Sequence, residues 1–208
     1  RPLPRVLLLA QGHQGYLNLC ELLSRGWIHA GNKPQASLRW EWVQELADDL
    51  IMLSGAQAGP LGPALLAGDM EQAHAVAMQC VQTFPNRFYL ELQRAGRSTD
   101  EPHVIAAVQL AQRMQLPVVA THPIQFQSPA EFEAHEARVC IASGRVLDDP
   151  RRPRDYSEQQ YLKSAEEMAA LFADVPDALD NTVALAQRCN MQLKLGTYFL
   201  PAYPVPDD

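Results

Sequence analysis

Phe-Tyr-Leu-Glu-Leu-Gln at residues 88–93 and Val-Val-Ala-Thr at residues 118–121 are short, mostly apolar runs separated by a helix-length segment. Within that segment, apolar residues recur at helical spacing, as Val104, Val108 and Ala111 do. A buried strand, a helix and a second buried strand form the repeating unit of a parallel sheet. This stretch therefore predicts an α/β fold.

Similar units lie on both sides of this stretch. Apolar runs at residues 5–10, 50–54 and 191–195 predict three more strands. A helix ending at Gly26 is predicted after the first run. Its inward face is expected to consist of the apolar residues at helical spacing, Tyr16, Leu19, Leu22 and Leu23. The whole pattern predicts a mixed α/β domain with a largely parallel sheet.

The composition narrows the class of protein. The chain has 208 residues and a formal net charge of −7, and no apolar run approaches the roughly 20 residues of a membrane-spanning helix. The negative charge disfavours a module that wraps a nucleic-acid duplex, because phosphate contacts need a basic face. The four cysteines are far apart and form no Cys-x-x-Cys pair, which predicts reduced thiols. We expect a cytoplasmic globular protein.

Three segments do not fit the strand–helix pattern. Residues 144–160 are polar and interrupted by prolines, so they form either an ordered surface loop or a contact with a partner. Residues 201–208 have proline spacing suited to an extended connector. Ser-Gly-Ala-Gln-Ala-Gly at residues 54–59 lacks the Gly-Lys-Ser/Thr ending of a phosphate loop, and predicts a tight turn.

Six segments in order carry a resemblance. Residues 11–19 contain a Gly-Tyr-x-Asn-Leu helix start, and residues 195–201 read Leu-Gly-Thr-Tyr-Phe-Leu-Pro. The four segments between them are residues 50–55, 88–93, 116–121 and 134–136. Together they resemble the PHP (polymerase and histidinol phosphatase) domain of bacterial DNA polymerase III alpha subunits, over essentially the whole chain. The final segment favours the replicative type over error-prone relatives.

The resemblance implies a distorted (β/α)7 TIM-like barrel. It is expected to be incomplete, because the opening strands, with a metal-binding His-x-His pair, would precede Arg1. Residues 1–200 would be a partial PHP domain, and residues 201–208 a connector toward the polymerase body. The parent protein resembles a DNA-directed DNA polymerase, a nucleotidyltransferase of DNA replication. Its catalytic carboxylates would follow Asp208, so we expect this fragment to be inactive.

The resemblance also assigns metal-ligand positions. Metal-competent relatives bind Zn²⁺ or Mn²⁺ through His, Asp and Glu side chains at the strand ends. Here three of those positions are Ala95, Pro123 and Gln125, which are poor ligands or none. His122 and Glu91 remain as weak candidates, each with a structural role as the alternative. We expect a degenerate metal site, no catalytic residue and no cofactor in this fragment.

Two groups of residues are candidates for docking a partner. Arg151, Arg152 and Arg154 form a compact basic cluster, which either pairs with neighbouring aspartates or docks another domain or the template backbone. Trp40 and Trp42 lie on either side of Glu41. In an extended segment their rings would share one face, either covering the core or contacting a protein.

The leading hypothesis is a non-catalytic structural and interaction domain. The resemblance implies two partners, the proofreading exonuclease subunit and the remainder of the alpha subunit. We expect no membrane contact and no strong direct DNA binding. The alternative is a residual metal-dependent phosphoesterase, a pyrophosphatase or exonuclease, that uses His122 and Glu91. A free-standing barrel enzyme is a third reading, disfavoured by the missing initial Met. Exposed sheet edges in an incomplete barrel also predict self-association.

Overall fold

A computed structural model describes residues 3–33, 35–152, 154–198 and 200; the predicted connector at residues 201–208 lies outside them. The elements in chain order are β1 (Leu7–Ala10), α1 (His13–Ala30), α2 (Trp40–Glu45), β2 (Leu50–Leu53), α3 (Gly62–Ala67), α4 (Met70–Thr83), β3 (Phe88–Gln93), α5 (Asp100–Met114), β4 (Val118–Thr121), α6 (Phe132–Ser143), α7 (Ala165–Leu171) and α8 (Pro176–Arg188). Short 3₁₀ turns occur at Ala56–Ala58 and Pro129–Glu131.

The four strands form one sheet in the order β1-β2-β3-β4. Strands β2, β3 and β4 are parallel, with Met52 opposite Phe88 and Leu90 opposite Val118. The predicted mixed α/β architecture is confirmed, and four of the five predicted strands are present. Because parallel strands end at the same edge, the chain leaves β2, β3 and β4 on one side of the sheet.

Strand β1 is antiparallel to β2, with Leu7 opposite Leu53, a reversal that the apolar pattern did not indicate. The connection between them contains two helices, so the chain runs away along α1 and returns through α2. Accordingly β2 begins beside the end of β1, where the N–H of Gln11 donates to the carbonyl of Asp49 at 2.9 Å. Apolar periodicity reports burial and carries no information about strand direction.

In β2, β3 and β4 successive side chains point to opposite faces of the sheet, and both faces are buried. Leu50, Met52 and Leu90 belong to the larger core cluster, which helices α4 and α5 cover. Ile51 and Val119 point to the other face and form a smaller cluster with Leu185 of α8. Glu91 alternates with the residues of the larger cluster and therefore lies on the α8 side, near the carboxyl ends of the strands.

Helix α1 differs from its prediction in length and orientation. It continues through Gly26 to Ala30, because Gly26 is buried where a Cβ would lie 2.9 Å from Leu38 Cδ2. Tyr16 and Leu23, predicted to face inward, are exposed. The helix instead buries one leucine among small and polar residues: Gly15, Asn18, Leu22, Gly26 and Ala30. No helix in the described ranges is long and apolar enough to cross a bilayer.

The predicted strand at residues 191–195 is wrong: these residues are described and carry no strand. Asn190 donates its backbone N–H to the carbonyl of Gln11 at 2.8 Å. Beyond it Leu193 and Leu195 are largely exposed. Alternating apolar residues form a strand only where a neighbouring strand accepts their backbone hydrogen bonds. None of the described strands pairs with this segment.

The predicted tight turn after β2 is confirmed. Gly55 has φ of +78°, a left-handed conformation that favours glycine. A Cβ at Gly55 would lie 1.8 Å from the carbonyl oxygen of Arg5, and the N–H of Arg5 donates to the carbonyl of Ala58 at 2.8 Å. The turn is therefore held directly against the segment that leads into β1.

Candidate functional site at the strand ends

Glu91 is a buried carboxylate near the carboxyl end of β3. Its Oε2 accepts a hydrogen bond from the backbone N–H of Gly55 at 3.0 Å. Its Oε1 accepts from the Thr121 hydroxyl and from Gln93 Nε2, the latter at 2.9 Å. The N–H of Glu91 itself donates to Ser54 Oγ at 2.9 Å. Donors from the ends of three strands therefore occupy both carboxylate oxygens.

Gln93 links Glu91 to a second carboxylate. Its Oε1 accepts from Arg97 Nη2 at 3.0 Å, and Arg97 Nε donates to Asp100 Oδ1 at 2.8 Å. Buried Asp100 also accepts from the backbone N–H of Ala95 at 2.6 Å and from the Gln57 amide. Burial raises the pKa of Asp100, but these donors and the charge of Arg97 together hold the pKa below its ordinary value of 3.8.

We call this group the strand-end network. Its members are Ser54, Gly55, Gln57, Glu91, Gln93, Arg97, Asp100 and Thr121. The guanidinium of Arg97 supplies its positive charge, and the side-chain amides of glutamine residues connect its parts. Each carboxylate is satisfied by hydrogen bonds from the protein itself.

His122 lies just after β4, at the edge of this network. Its Nε2 is 2.7 Å from the carbonyl oxygen of Gln159, and with the ring proton on Nε2 the histidine is the donor. Burial lowers the pKa of His122. The Gln159 carbonyl opposes this shift, whereas the charges of Lys163 and Arg97 add to it. The segment before α7 therefore covers the strand ends.

Comparison with known proteins identifies the family. Residues 3–95 match the PHP domain. Over 206 residues the chain is 52% identical to DNA polymerase III subunit alpha of Pseudomonas aeruginosa, an alignment that covers 99% of this chain and 18% of that protein. The chain corresponds to the PHP region of DNA polymerase III alpha subunits.

Further relatives with the same description support the assignment. Identity to the Escherichia coli K12 subunit is 44% over 209 residues, covering 99% of this chain and 18% of that protein. Identity to the Xylella fastidiosa (strain 9a5c) subunit is 50% over 203 residues, covering 97% of this chain and 17% of that protein. The PHP-family chain thus spans less than a fifth of the length of these relatives.

The three assigned ligand positions hold no metal-binding side chain. Ala95 is buried; its N–H binds Asp100, and its carbonyl accepts from the Ser157 hydroxyl. Pro123 and Gln125 follow β4, and Gln125 is exposed. In the described part of this PHP-family chain no group of three or more His, Cys, Asp and Glu could hold a metal ion. The donors present at this edge do not fit a catalytic divalent cation, which needs several carboxylate or imidazole ligands.

Sequence reasoning missed Arg97, Asp100 and His103, which lie between β3 and the first turns of α5. His103 is fully buried, and its Nδ1 has no partner among the described residues. Burial lowers the pKa of His103 to about 4; the charge of Asp100 opposes the shift and that of Arg97 adds to it. The sequence feature that could have indicated this pair is the Asp-x-x-His spacing, which places both residues on one helix face.

Trp40 and Trp42 lie in helix α2, so the prediction of an extended segment is wrong. Residues two apart on a helix point to different sides. Both rings are half-buried against the larger core cluster, and the Trp42 ring also contacts His29 and Arg39, with centroid distances of 5.6 and 5.2 Å. This geometry favours the alternative in which the tryptophans cover the core.

The three arginines of the basic cluster have different surroundings. Arg152 pairs with Glu136 of α6, and both side chains are at most 10% exposed. Arg151 pairs with Asp149 at 3.3 Å and is 85% exposed. Arg154 is exposed. One of the three therefore stabilises the loop, and the other two remain accessible.

Proposed function

We propose that this chain is a non-catalytic structural and interaction module of a bacterial DNA polymerase III alpha subunit, acting in DNA replication. The observation that carries the proposal is the occupied carboxylate of Glu91, whose two oxygens accept from Gly55, Gln93 and Thr121. A hydrogen bond to a charged group contributes about 1.5–3 kcal/mol. A metal ion would have to displace several of them.

The hydrogen-bond donors to Glu91 and Asp100 belong to the protein itself, so they stay at the site whereas a bound ion can dissociate. The positive charge that a buried carboxylate pair needs comes from Arg97, which is 2.8 Å from Asp100. This network stabilises the carboxyl ends of the strands without a bound ion. We therefore expect no cofactor, although Zn²⁺ or Mn²⁺ would be the ion of a metal-competent relative.

The proposed architecture is a distorted (β/α)7 TIM-like barrel. In support, β2, β3 and β4 are parallel, and helices α4 and α5 cover one face of their sheet, with α8 packed on the other face. Residues 1–200 would form the PHP module and residues 201–208 the connector toward the polymerase body. Nucleotidyl transfer would belong to other parts of the subunit.

The proposed partners are the remainder of the alpha subunit and the proofreading exonuclease subunit, in the bacterial cytoplasm. Arg151 and Arg154 are the docking candidates that remain accessible. Arg152 is paired with Glu136, and Trp40 and Trp42 pack against the core. These three residues would stabilise a docking surface without contacting the partner. The module would then brace the polymerase and hold the exonuclease beside it.

Metal analysis of the intact alpha subunit tests the central claim. After incubation with Mn²⁺ or Zn²⁺ and gel filtration, we expect less than about 0.1 ion per subunit at this site. We also expect no hydrolysis of a phosphate monoester above background. Glu91→Gln should leave the metal content unchanged.

The opposite result would establish the alternative function. Stoichiometric Mn²⁺ or Zn²⁺ that disappears in Glu91→Gln, together with phosphatase turnover, would identify a metal-dependent phosphoesterase. Binding to the native state would also raise the melting temperature, and the rise would grow with the logarithm of the free metal concentration. An unchanged melting temperature supports the non-catalytic module.

Exonuclease docking is tested separately by binding of the purified exonuclease subunit to the intact alpha subunit. Arg154→Glu is expected to weaken the complex about tenfold, because a charge at an interface rim is reversed. Arg113→Glu, at an exposed position of α5, is the matched control and should not change the affinity. Equal effects of the two variants would remove the basic cluster from the interface.

A further inference from the structure

The solvent-facing side of α1 carries several large apolar residues, although polar residues such as Glu21 and Ser24 are exposed on it as well. Trp27 and Leu23 are each 56% exposed, and Ile28 is 82% exposed. We define the α1 outer face as Tyr16, Leu17, Cys20, Leu23, Trp27 and Ile28. A helix of a globular protein normally directs polar residues to solvent. This helix does the reverse, since its buried side consists of glycine, alanine, asparagine and a single leucine.

The charged residues of α1 border this face, where exposed Glu21 lies one turn from Leu17. Glu21 and Arg25 pair with each other at 2.8 Å, and Arg25 also pairs with Glu45 of α2 at 2.6 Å. They therefore form the flank toward α2, and the outer face contains no Asp, Glu, Lys or Arg. A contiguous exposed apolar patch of several hundred Å² marks an interaction site in a soluble protein.

The composition of the face indicates the kind of partner. Interfaces that form permanently resemble a domain core and are depleted of charge, whereas transient interfaces are more polar. A helix of 18 residues is about 27 Å long, which suits a second helix packed along it. In the relatives, the aligned segment is only 18% of the polypeptide, so most of that polypeptide is available to cover it.

We propose that the α1 outer face is the surface against which an apolar helix from the remaining alpha-subunit polypeptide packs permanently. This inference rests on the proposed function, because it specifies where the module braces the rest of the subunit. Trp27 is the central anchor of the contact, with Leu23 and Ile28 beside it. The partner helix presents uncharged side chains to this face.

Cys20 provides a reporter, because it is exposed in this chain and lies on the face. In the intact alpha subunit, alkylation of Cys20 is followed by mass spectrometry of its peptide. We expect labelling at least about tenfold slower than in the urea-unfolded subunit. A cysteine placed by Ile105→Cys on the exposed side of α5, where Ile105 is 53% exposed, is the control for a solvent-facing helix.

A second measurement does not depend on the reagent. Trp27→Asp should lower the melting temperature of the intact subunit by several degrees more than Ile105→Asp. The two positions have similar exposure in this chain, at 56% and 53%. Equal shifts for the two variants would contradict a buried contact at Trp27.

The outcomes separate this proposal from competing occupants and from the proposed function. Free labelling of Cys20 in the intact subunit overturns the proposal. So does protection that increases with protein concentration, which identifies a second copy, or protection that requires the exonuclease subunit. Protected Cys20 together with stoichiometric metal at the strand ends would overturn only the non-catalytic assignment. Free Cys20 without metal would overturn only the packing of α1.

Discussion

The strand-end network and the segment of residues 145–154 both combine arginines with carboxylates, but they hold them differently. In the network, Glu91 and Asp100 are at most 5% exposed, and each accepts at least three hydrogen bonds from protein donors. In the segment, Asp149 is paired with Arg151, which is 85% exposed. A high local density of charge in the sequence therefore did not locate the buried charges.

The comparison indicates which charged residues contribute most to the free energy of unfolding. A buried carboxylate has lost its water and depends on every protein donor around it. An exposed pair exchanges its partner for water at little cost, and such pairs contribute about 0–1 kcal/mol. We therefore expect substitutions in the network to have larger effects than substitutions of the exposed charges in the segment, from which Arg152 is excepted because it is buried against Glu136.

The largest effect is expected for Asp100→Ala. Removal of the carboxylate leaves the buried N–H of Ala95 without its acceptor and partly buried Arg97 without its ion-pair partner, so the free energy of unfolding should fall by about 3 kcal/mol. Urea unfolding at pH 7 measures the change. Asp148→Ala, at an exposed position in the segment, is the control, and an equal effect would abolish the contrast between the two regions.

The next effect concerns pH and His103, which is buried beside Asp100. The pKa of His103 in the folded protein is about 4, below its ordinary 6.5, so the unfolded state takes up the proton first. The free energy of unfolding should therefore decrease as the pH falls from 6.5 to 4, by roughly 3 kcal/mol in total.

The carboxylate of Asp100 contributes in a different window. Because the pKa of Asp100 is lowered on folding, its contribution to the free energy of unfolding is present above pH 3.8. That contribution is lost only at lower pH. Stability curves of His103→Gln between pH 7 and 4 should have a smaller slope than those of the unaltered protein. His74→Gln, on the exposed side of α4, serves as the control, and a slope that His103→Gln does not reduce would refute the assignment.

A smaller effect is expected for Thr121→Val. The variant keeps the shape of the side chain but removes the hydroxyl that donates to Glu91, and the free energy of unfolding should fall by about 1–2 kcal/mol. Thr121→Ser retains the hydroxyl and should recover most of the loss. If valine and serine are equally destabilising, methyl packing and not the hydrogen bond is responsible.

The smallest effect is expected for Arg151→Ala in the segment of residues 145–154, in which Arg152 is the buried exception. Arg152→Ala should lower the melting temperature, because it leaves buried Glu136 without its partner. Arg151→Ala should leave the melting temperature unchanged, because Arg151 is exposed. Thermal unfolding of the two variants in parallel compares them, and a larger effect of Arg151→Ala would contradict the described pairing.

The sequence predicted the elements of the fold better than their arrangement. The runs that became β2, β3 and β4 are mostly apolar, since both faces of these strands are buried. The direction of β1 depended on the path of α1 and α2, which no local pattern encodes. Residues 191–195 have the alternation of a strand, but a strand also needs a pairing edge, which lies elsewhere in the molecule or outside it.

The candidate site was predictable only in part. The resemblance located the ligand positions at Ala95, Pro123 and Gln125, because they are fixed by motifs within or beside strands. It did not find Arg97 and Asp100, since their role arises from distances across the strand ends. For the same reason, the proximity of three arginines in sequence gave no indication that only Arg152 would be buried.

The turn at Gly55 links two distant parts of the polypeptide. Its backbone lies against the carbonyl of Arg5, with no room for a side chain between them, and its N–H is bound to Glu91. A displacement of the chain ahead of β1 would therefore move the backbone at Gly55, and with it the hydrogen bond from Gly55 to the Glu91 carboxylate.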